Sequence, residues 1–288
     1  MATLKQIRQR IRTSKNIRQI TRAMKLVAAA RLTKAKNRVE EARPYADKMR
    51  EFVLSVGGAG ELPEHPLLER REPQSVCLVL VTADRGLAGS YNTALLRAAS
   101  DWLKEQTLPV TMVTVGKKGN LFFGKRGVRI VHNMSVPTAG ARLEDAVELT
   151  NLVTELFKKE EADEIYICYS KFFSPIRQEP TIIKVLPIEP PKVEEGAGAQ
   201  ASKEYSFEPK AEELLGLLLP KYLLTVTYQT LLESSASEHG ARMTAMSNAT
   251  DNAGKMIQDL TLVANRARQA TITKEILEIV AGAEALKG

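Results

Sequence analysis

The sequence predicts two long terminal helices paired as an antiparallel coiled coil, with a Rossmann-like open α/β domain inserted between them. Three observations carry this prediction. Toward the start, Ala35, Val39, Ala42, Ala46, Met49, Val53 and Val56 alternate steps of four and three, a heptad seam on one helix. Toward the end, Met243, Met246, Thr250, Ala253, Ile257, Leu260, Ala264 and Ala267 step in the same way. Between these segments, β-branched apolar runs alternate with amphipathic helical stretches, the pattern of a mainly parallel sheet covered by helices.

The first helix is expected from about Leu4 to about Val56, roughly 80 Å long at about 1.5 Å per residue. Leu4, Ile7, Ile11, Ile17, Met24 and Ala28 continue its apolar face upstream with looser spacing. Pro44 lies within it, and a proline removes one backbone hydrogen bond and crowds the preceding turn. The heptad passes through Pro44 unbroken, so a kink is expected there rather than an end. Gly57-Gly58-Ala59-Gly60 supplies the stop.

Leu62 to Gln74 holds three prolines and many charges and reads as a linker. Val76 to Thr82 is a continuous apolar run, the signature of a strand buried on both faces. Asp84 to Ser90 is a turn, Tyr91 to Lys104 a helix and Val110 to Val115 a second strand. Gly116-Lys117-Lys118-Gly119 turns into a short helix, followed by a strand at Val128 to Val131 and an amphipathic helix from Leu143 to Lys159. Ile165 to Tyr169 and Thr181 to Leu186 give the last two strands.

Glu189 to Ser206 is poor in apolar residues and reads as a loop. A final helix is expected from about Pro209 to about Leu286, bent at Pro220. The expected organisation is a helix over 1–58, a linker over 59–74, an α/β domain over 75–190, a loop over 191–208 and a helix over 209–288.

Composition narrows the function. The chain has 288 residues, 44% of them hydrophobic and 26% charged, with a net charge of +7, values of a globular protein. The longest apolar stretch, Leu214 to Leu224, is broken by Gly216, Pro220 and Lys221, so no membrane-spanning helix is predicted. The first 39 residues carry twelve Lys and Arg and no Asp or Glu. That bias suits a solvated helix face, a nucleic-acid arm, a targeting peptide or a helix laid against an acidic protein. Targeting fits poorly, because the seam needs the segment retained. Nucleic acid fits poorly too, because no aromatic residue precedes Tyr45 to stack on bases.

The two cysteines, Cys77 and Cys168, sit in strand-like runs and read as buried thiols. His65, His132 and His239 have no metal-ligand spacing. Asp84 to Gly89 lacks the glycine spacing of a nucleotide loop, and Gly116 to Gly119 is a basic turn only. No catalytic constellation and no cofactor site is evident.

Geometry gives the first functional expectation. Paired antiparallel, the two terminal helices leave the α/β body in the same direction, and the last outruns the first by roughly 20 residues, about 30 Å. The lone end holds Ile272, Ile276, Leu277, Ile279 and Val280, too much apolar surface for an isolated helix in water. The helical pair reads as a shaft whose tip belongs inside another protein.

Four motifs, in order along the whole chain, resemble the gamma subunit family of the rotary ATP synthases. They are Ser14-Lys15-Asn16-Ile17 through Ile20-Thr21-Arg22-Ala23-Met24-Lys25-Leu26-Val27-Ala28; Thr82-Ala83-Asp84-Arg85-Gly86-Leu87-Ala88-Gly89-Ser90-Tyr91-Asn92; Ala236-Ser237-Glu238-His239 with Ala241-Arg242-Met243 and Ala249 to Ala253; and Asn265-Arg266-Ala267-Arg268-Gln269-Ala270 with Ile272-Thr273 and Glu275. The resemblance implies a non-catalytic rotor on the axis of a ring of three alpha and three beta subunits, its foot joined to an epsilon subunit and a membrane ring of c subunits. It implies no cofactor and no nucleic-acid partner, and only indirect membrane association, at the cytoplasmic face of a bacterial plasma membrane. By position it implies rotor–stator contacts at Met24, Lys25, Arg242, Arg268, Gln269, Thr273 and Glu275, and foot contacts at Tyr205 and Glu208. Ala88 stands where many family members have cysteine, so no reactive thiol is expected in that turn.

Overall fold

A computed structural model describes residues 3–57, 65–137, 140–188 and 211–285. Ten elements follow one another: α1 (Leu4–Gly57), β1 (Val76–Val81), α2 (Tyr91–Glu105), β2 (Val110–Val115), α3 (Lys117–Gly124), β3 (Ile130–Met134), α4 (Leu143–Lys158), β4 (Glu164–Phe172), β5 (Gln178–Leu186) and α5 (Ala211–Ala285). α1 stays helical through Pro44, and α5 through Pro220. No helix among the described residues is long and apolar enough to cross a membrane.

The chain divides into two compact units: Met1–Val27 with Met243–Gly288, and Ala28–Arg242. In the first unit, the amino-terminal part of α1 runs antiparallel to the carboxy-terminal part of α5. Three cross-helix pairs set the register. Lys25 Nζ donates to Ser247 Oγ at 3.0 Å, Thr250 Oγ1 to Thr21 Oγ1 at 2.8 Å, and Ser14 Oγ to Met256 Sδ at 3.4 Å. Met246, Ala253 and Ala264 are buried on α5 as its heptad predicts.

On α1 the upstream face differs from expectation. Ile17 is 47% exposed, whereas Ile7, Ser14, Thr21 and Ala28 are buried. The seam keeps a strict seven-residue step from Ile7 through Ala28 and Ala35, and that step lands on two hydroxyl residues. Hydrophobicity pointed to Ile17; the period points to Ser14, whose small side chain lets the helix axes approach closely.

The second unit is built on a five-stranded sheet of order β3-β2-β1-β4-β5. β1 is central and parallel to both β2 and β4, β3 is parallel to β2, and β5 is antiparallel to β4. All six β1 residues are buried, which is why the run shows no alternation. Tyr91, Leu95 and Ala99, four residues apart on α2, pack with Leu78, Leu80, Met112, Phe123 and Cys168 into the core. Burial raises the Cys77 thiol to about 11 and the Cys168 thiol to about 12, which keeps both protonated and inert.

β4 and β5 run further than expected. Ser170 and Lys171 extend β4, and Gln178 to Pro180 extend β5, forming a hairpin whose polar residues hid it in the sequence. The third strand lies at Ile130–Met134 rather than Val128 to Val131. In the helical part of this unit, Ala28, Leu32, Ala35, Val39, Ala46 and Met49 of α1 are buried, as are Leu219, Leu223, Leu231, Leu232 and Ala236 of α5. Arg38 of α1 and Ser235 of α5 both reach Gly140.

Candidate functional site

An open sheet of this topology takes ligands outside the carboxyl ends of its strands, where the strand order reverses. Here the reversal lies between β1 and β4. The chain lays its own last helix over this end of the sheet, bonding Ser170 of β4 and leaving a small pocket of about 40 Å³ beside β1. Leu231, Ser234, Ser235, Glu238 and His239 of α5 face Val81, Thr82, Asp84, Arg85 and Tyr91 across it.

The contacts are directional. The Ser170 N–H donates to Ser234 Oγ at 3.3 Å, and Ser237 Oγ donates to the Ser170 carbonyl at 3.0 Å. Arg242, 8% exposed, pairs with Glu238 at 2.7 Å. Its guanidinium also reaches the Gly86 carbonyl and His239 Nδ1, each at 3.4 Å. Burial raises the Glu238 carboxyl, and Arg242 opposes that rise. Burial, with Arg242 and Arg31 adding to it, pushes the His239 imidazole down to about 4. The ring is therefore neutral at pH 7, and Nδ1 can accept the Arg242 N–H.

A second ligand position, the amino end of the short helix α3, is also taken internally. Asp84 Oδ1 accepts the Lys117 N–H at 2.9 Å, and the Asp84 carboxylate accepts the Ser135 hydroxyl. Thr82 Oγ1 accepts the Gly119 N–H at 2.9 Å. The place where a phosphate would sit in a nucleotide-binding turn is thus held by a carboxylate of the same chain. Among the described residues, no group of three His, Cys, Asp or Glu is placed to hold a metal.

The unoccupied surface lies on the helical unit. Past Ala267 every α5 residue with a described side chain is exposed. Ile272, Ile276, Leu277, Ile279 and Val280 are 47–70% exposed. Continuing the α1-facing seam would bring Thr271, Lys274, Glu278 and Ala281 into line; at about 3.6 residues per turn Ile272, Ile276, Ile279 and Val280 fall on the other side of the helix. This stripe therefore does not continue the seam that pairs with α1. Arg268, Gln269, Thr273 and Glu275 are exposed and alternate with it at helical spacing. A second exposed apolar row, Ile17, Ile20 and Val27 with the half-buried Met24, runs along α1.

The structure thus places Met24, Arg268, Gln269, Thr273 and Glu275 on surface rows. Lys25 is half-buried and bonded to Ser247, and Arg242 is buried in the α/β unit. Tyr205 and Glu208 lie outside the described residues. Sequence reasoning did not single out Ser170 and Ser234, and it quoted Ser237 and Glu238 only as members of a family motif. The i, i+4 spacing of Glu238 and Arg242 was a further signal.

A sheet that grips its own terminal helix, and a helical pair that carries an uncovered apolar stripe, define a subunit built for assembly. Comparison with known proteins agrees. The sequence model described as ATP synthase matches residues 3–286. The ATP synthase gamma chains of Pelotomaculum thermopropionicum and Moorella thermoacetica are each 45% identical over 287 residues, covering 100% of both chains. The chain belongs to the ATP synthase gamma chain family. In fold it is similar to a chain of the rotor of the Euglena gracilis mitochondrial ATP synthase, with a TM-score of 0.67 at 19% identity over 93% of this chain and 98% of that one. A chain from the central stalk and c ring of the Tetrahymena thermophila mitochondrial enzyme gives a TM-score of 0.60 at 24% identity, over 80% and 99%.

Proposed function

We propose that this chain is the central rotor of a bacterial proton-translocating ATP synthase and catalyses no reaction itself. It couples rotation of a membrane c ring to synthesis or hydrolysis of ATP at sites formed by the alpha and beta subunits. The observation that carries this reading is the uncovered stripe Ile272, Ile276, Ile279 and Val280 at the end of α5. So much apolar surface on one helix needs an enclosing neighbour, and a 3:3 ring offers one on its axis. Arg268, Gln269, Thr273 and Glu275 then meet the rim of that enclosure, where partly desolvated Arg contacts count most. Met24 and Lys25 lie where a moving beta subunit would bear on α1. Tyr205 and Glu208 belong to the contacts of the foot with the epsilon subunit and c ring.

A rotor changes a catalytic site only by touching its states unequally. An apolar tip free to turn, with charges on one side, meets that requirement. In this reading the chain sits at the cytoplasmic face of the plasma membrane and is held there through its partners.

Copurification tests the proposal. The chain expressed with alpha, beta and epsilon subunits should be recovered in one particle with a 3:3 ring, and that particle should hydrolyse ATP. ATP turnover by the purified chain alone, or its absence from the particle, would overturn the reading.

A further inference from the structure

We propose that Ser234, Ser237, Glu238 and Arg242 form a torsional key, which locks the rotation of α5 about its own axis to the sheet. Load between the α/β body and α5 then passes through hydrogen bonds at Ser170 and Gly86. The inference rests on the rotor reading and names the residues that transmit its torque inside the chain.

The key is a single stripe. Ser234, Ser237, Glu238 and Arg242 are spaced by three, one and four residues, which puts them on one side of α5 over about 12 Å. At one end the stripe holds a strand. Ser170 lies two residues past the last β1 rung, Leu80–Cys168, and opposite Pro180, which has no N–H to offer. The two α5 hydroxyls take the Ser170 N–H and carbonyl together. Tyr91 of α2 lines the same pocket as Ser234. At the other end, Arg242 holds the Gly86 carbonyl in the turn after β1, and Glu238 fixes the guanidinium from one helical turn away.

Stability alone does not account for these residues. A buried ion pair is seldom more stabilising than apolar side chains of the same volume. What the polar set adds is direction. Around it the helix buries Leu231, Leu232 and Ala236, and van der Waals contacts of this kind are not directional. A hydrogen bond loses strength steeply as its angle closes, so bonds to β4 at Ser170 and to the turn after β1 at Gly86 oppose rotation of the helix against the sheet. The crevice that other open sheets keep for a ligand is used here to grip a shaft.

The test uses the assembled, membrane-bound enzyme in inverted vesicles. ATP hydrolysis and ATP-driven proton uptake are measured on the same preparation, for the parent and for Ser234→Ala/Ser237→Ala. The double variant should assemble and hydrolyse ATP within twofold of the parent. Proton uptake per ATP hydrolysed should fall at least threefold. Arg242→Lys, which keeps the charge but not the fork, should fall between the two. An unchanged uptake ratio in the double variant overturns the key. Should that variant not fold, Ser237→Ala alone decides: a lowered ratio supports the key and an unchanged one overturns it. Failure of the rotor reading looks different, because the parent chain itself would then show no coupled uptake.

Discussion

His239 ties the acid stability of the α/β unit to one imidazole. It is 2% exposed, its Nδ1 lies 3.4 Å from Arg242 Nη1, and a second positive charge there would have no room to hydrate. Its folded value near 4 lies below the ordinary 6.5, so the unfolded chain takes up the proton first as pH falls. The contribution is intact above pH 6.5 and is lost progressively down to about pH 4. Between pH 6.5 and 5 the loss should reach about 2 kcal/mol. The raised Glu238 carboxyl works in the opposite sense, since the folded state holds its proton more tightly than the unfolded chain does. In His239→Gln the decline between pH 6.5 and 5 should disappear, as read from urea midpoints at the two pH values. Gly116 makes a second single-residue prediction. Its φ is +93°, and an added Cβ would lie 2.1 Å from the Thr82 carbonyl oxygen. Gly116→Ala should therefore cost about 3 kcal/mol or more, measured by thermal unfolding. Neither role announced itself in the sequence. The histidine had no partner within ligand spacing, and the glycine belonged to an ordinary basic turn; burial and backbone angle come from tertiary structure.

At the scale of the element, periodicity carried further than hydrophobicity. The α5 seam from Met243 to Ala267 and the α1 seam from Ala35 to Met49 were legible because steps of three and four repeat without a gap. The stretch before Ala28 was misread at Ile17 because Ser14 and Thr21 occupy the seam, and hydroxyl residues carry no hydrophobic signal. β1, β2 and the middle of β4 were legible as unbroken apolar runs, whereas β3, which carries His132 and Asn133, was set too early. The ends of β4 and β5 were not legible, since an edge hairpin needs no such run. The contact rows were legible in part. Apolar residues past the end of α1 are conspicuous on a helix, whereas the bonds that Lys25 and Arg242, expected from the resemblance as stator contacts, make within the chain were not. The tip predicts its own mutational behaviour. Ile276 is 54% and Ile279 70% exposed, so Ile276→Asp/Ile279→Asp should leave helicity and melting temperature of the isolated chain within error of the parent. Assembly with alpha and beta subunits should fall at least tenfold, or about 1.4 kcal/mol, in a pull-down titration. A variant that assembles normally would show that the stripe is not what the ring recognises.

At the scale of the whole chain, the two units differ in what holds them. The second unit has a sheet with fully buried β1, α2 and α4 against it, and buried Leu on both long helices. The first unit has one helix pair, and its buried positions are Ile7, Ser14, Thr21, Met246, Ala253 and Ala264. Three of those are alanine or serine, which bury little apolar area at roughly 25 cal/mol per Å². Two-helix pairs of such composition are marginal alone, because most helical stability comes from packing. The helices nevertheless continue without interruption from one unit into the other, so partial opening of the first unit need not disturb the second. Native-state hydrogen exchange on the isolated chain should resolve this. Amides of β1 and β4 should exchange only by global unfolding, while those of residues 7–24 and 246–264 should exchange through openings several kcal/mol cheaper. Enclosure should remove the difference. When the chain is bound in a ring of larger subunits, any partner that binds only the folded pair stabilises it by mass action. Protection over 246–280 should then rise by at least a hundredfold, while that of β1 changes little. Equal protection of both units in the free chain would mean that the helix pair is self-sufficient, and that its uncovered apolar rows are not the mark of a missing enclosure.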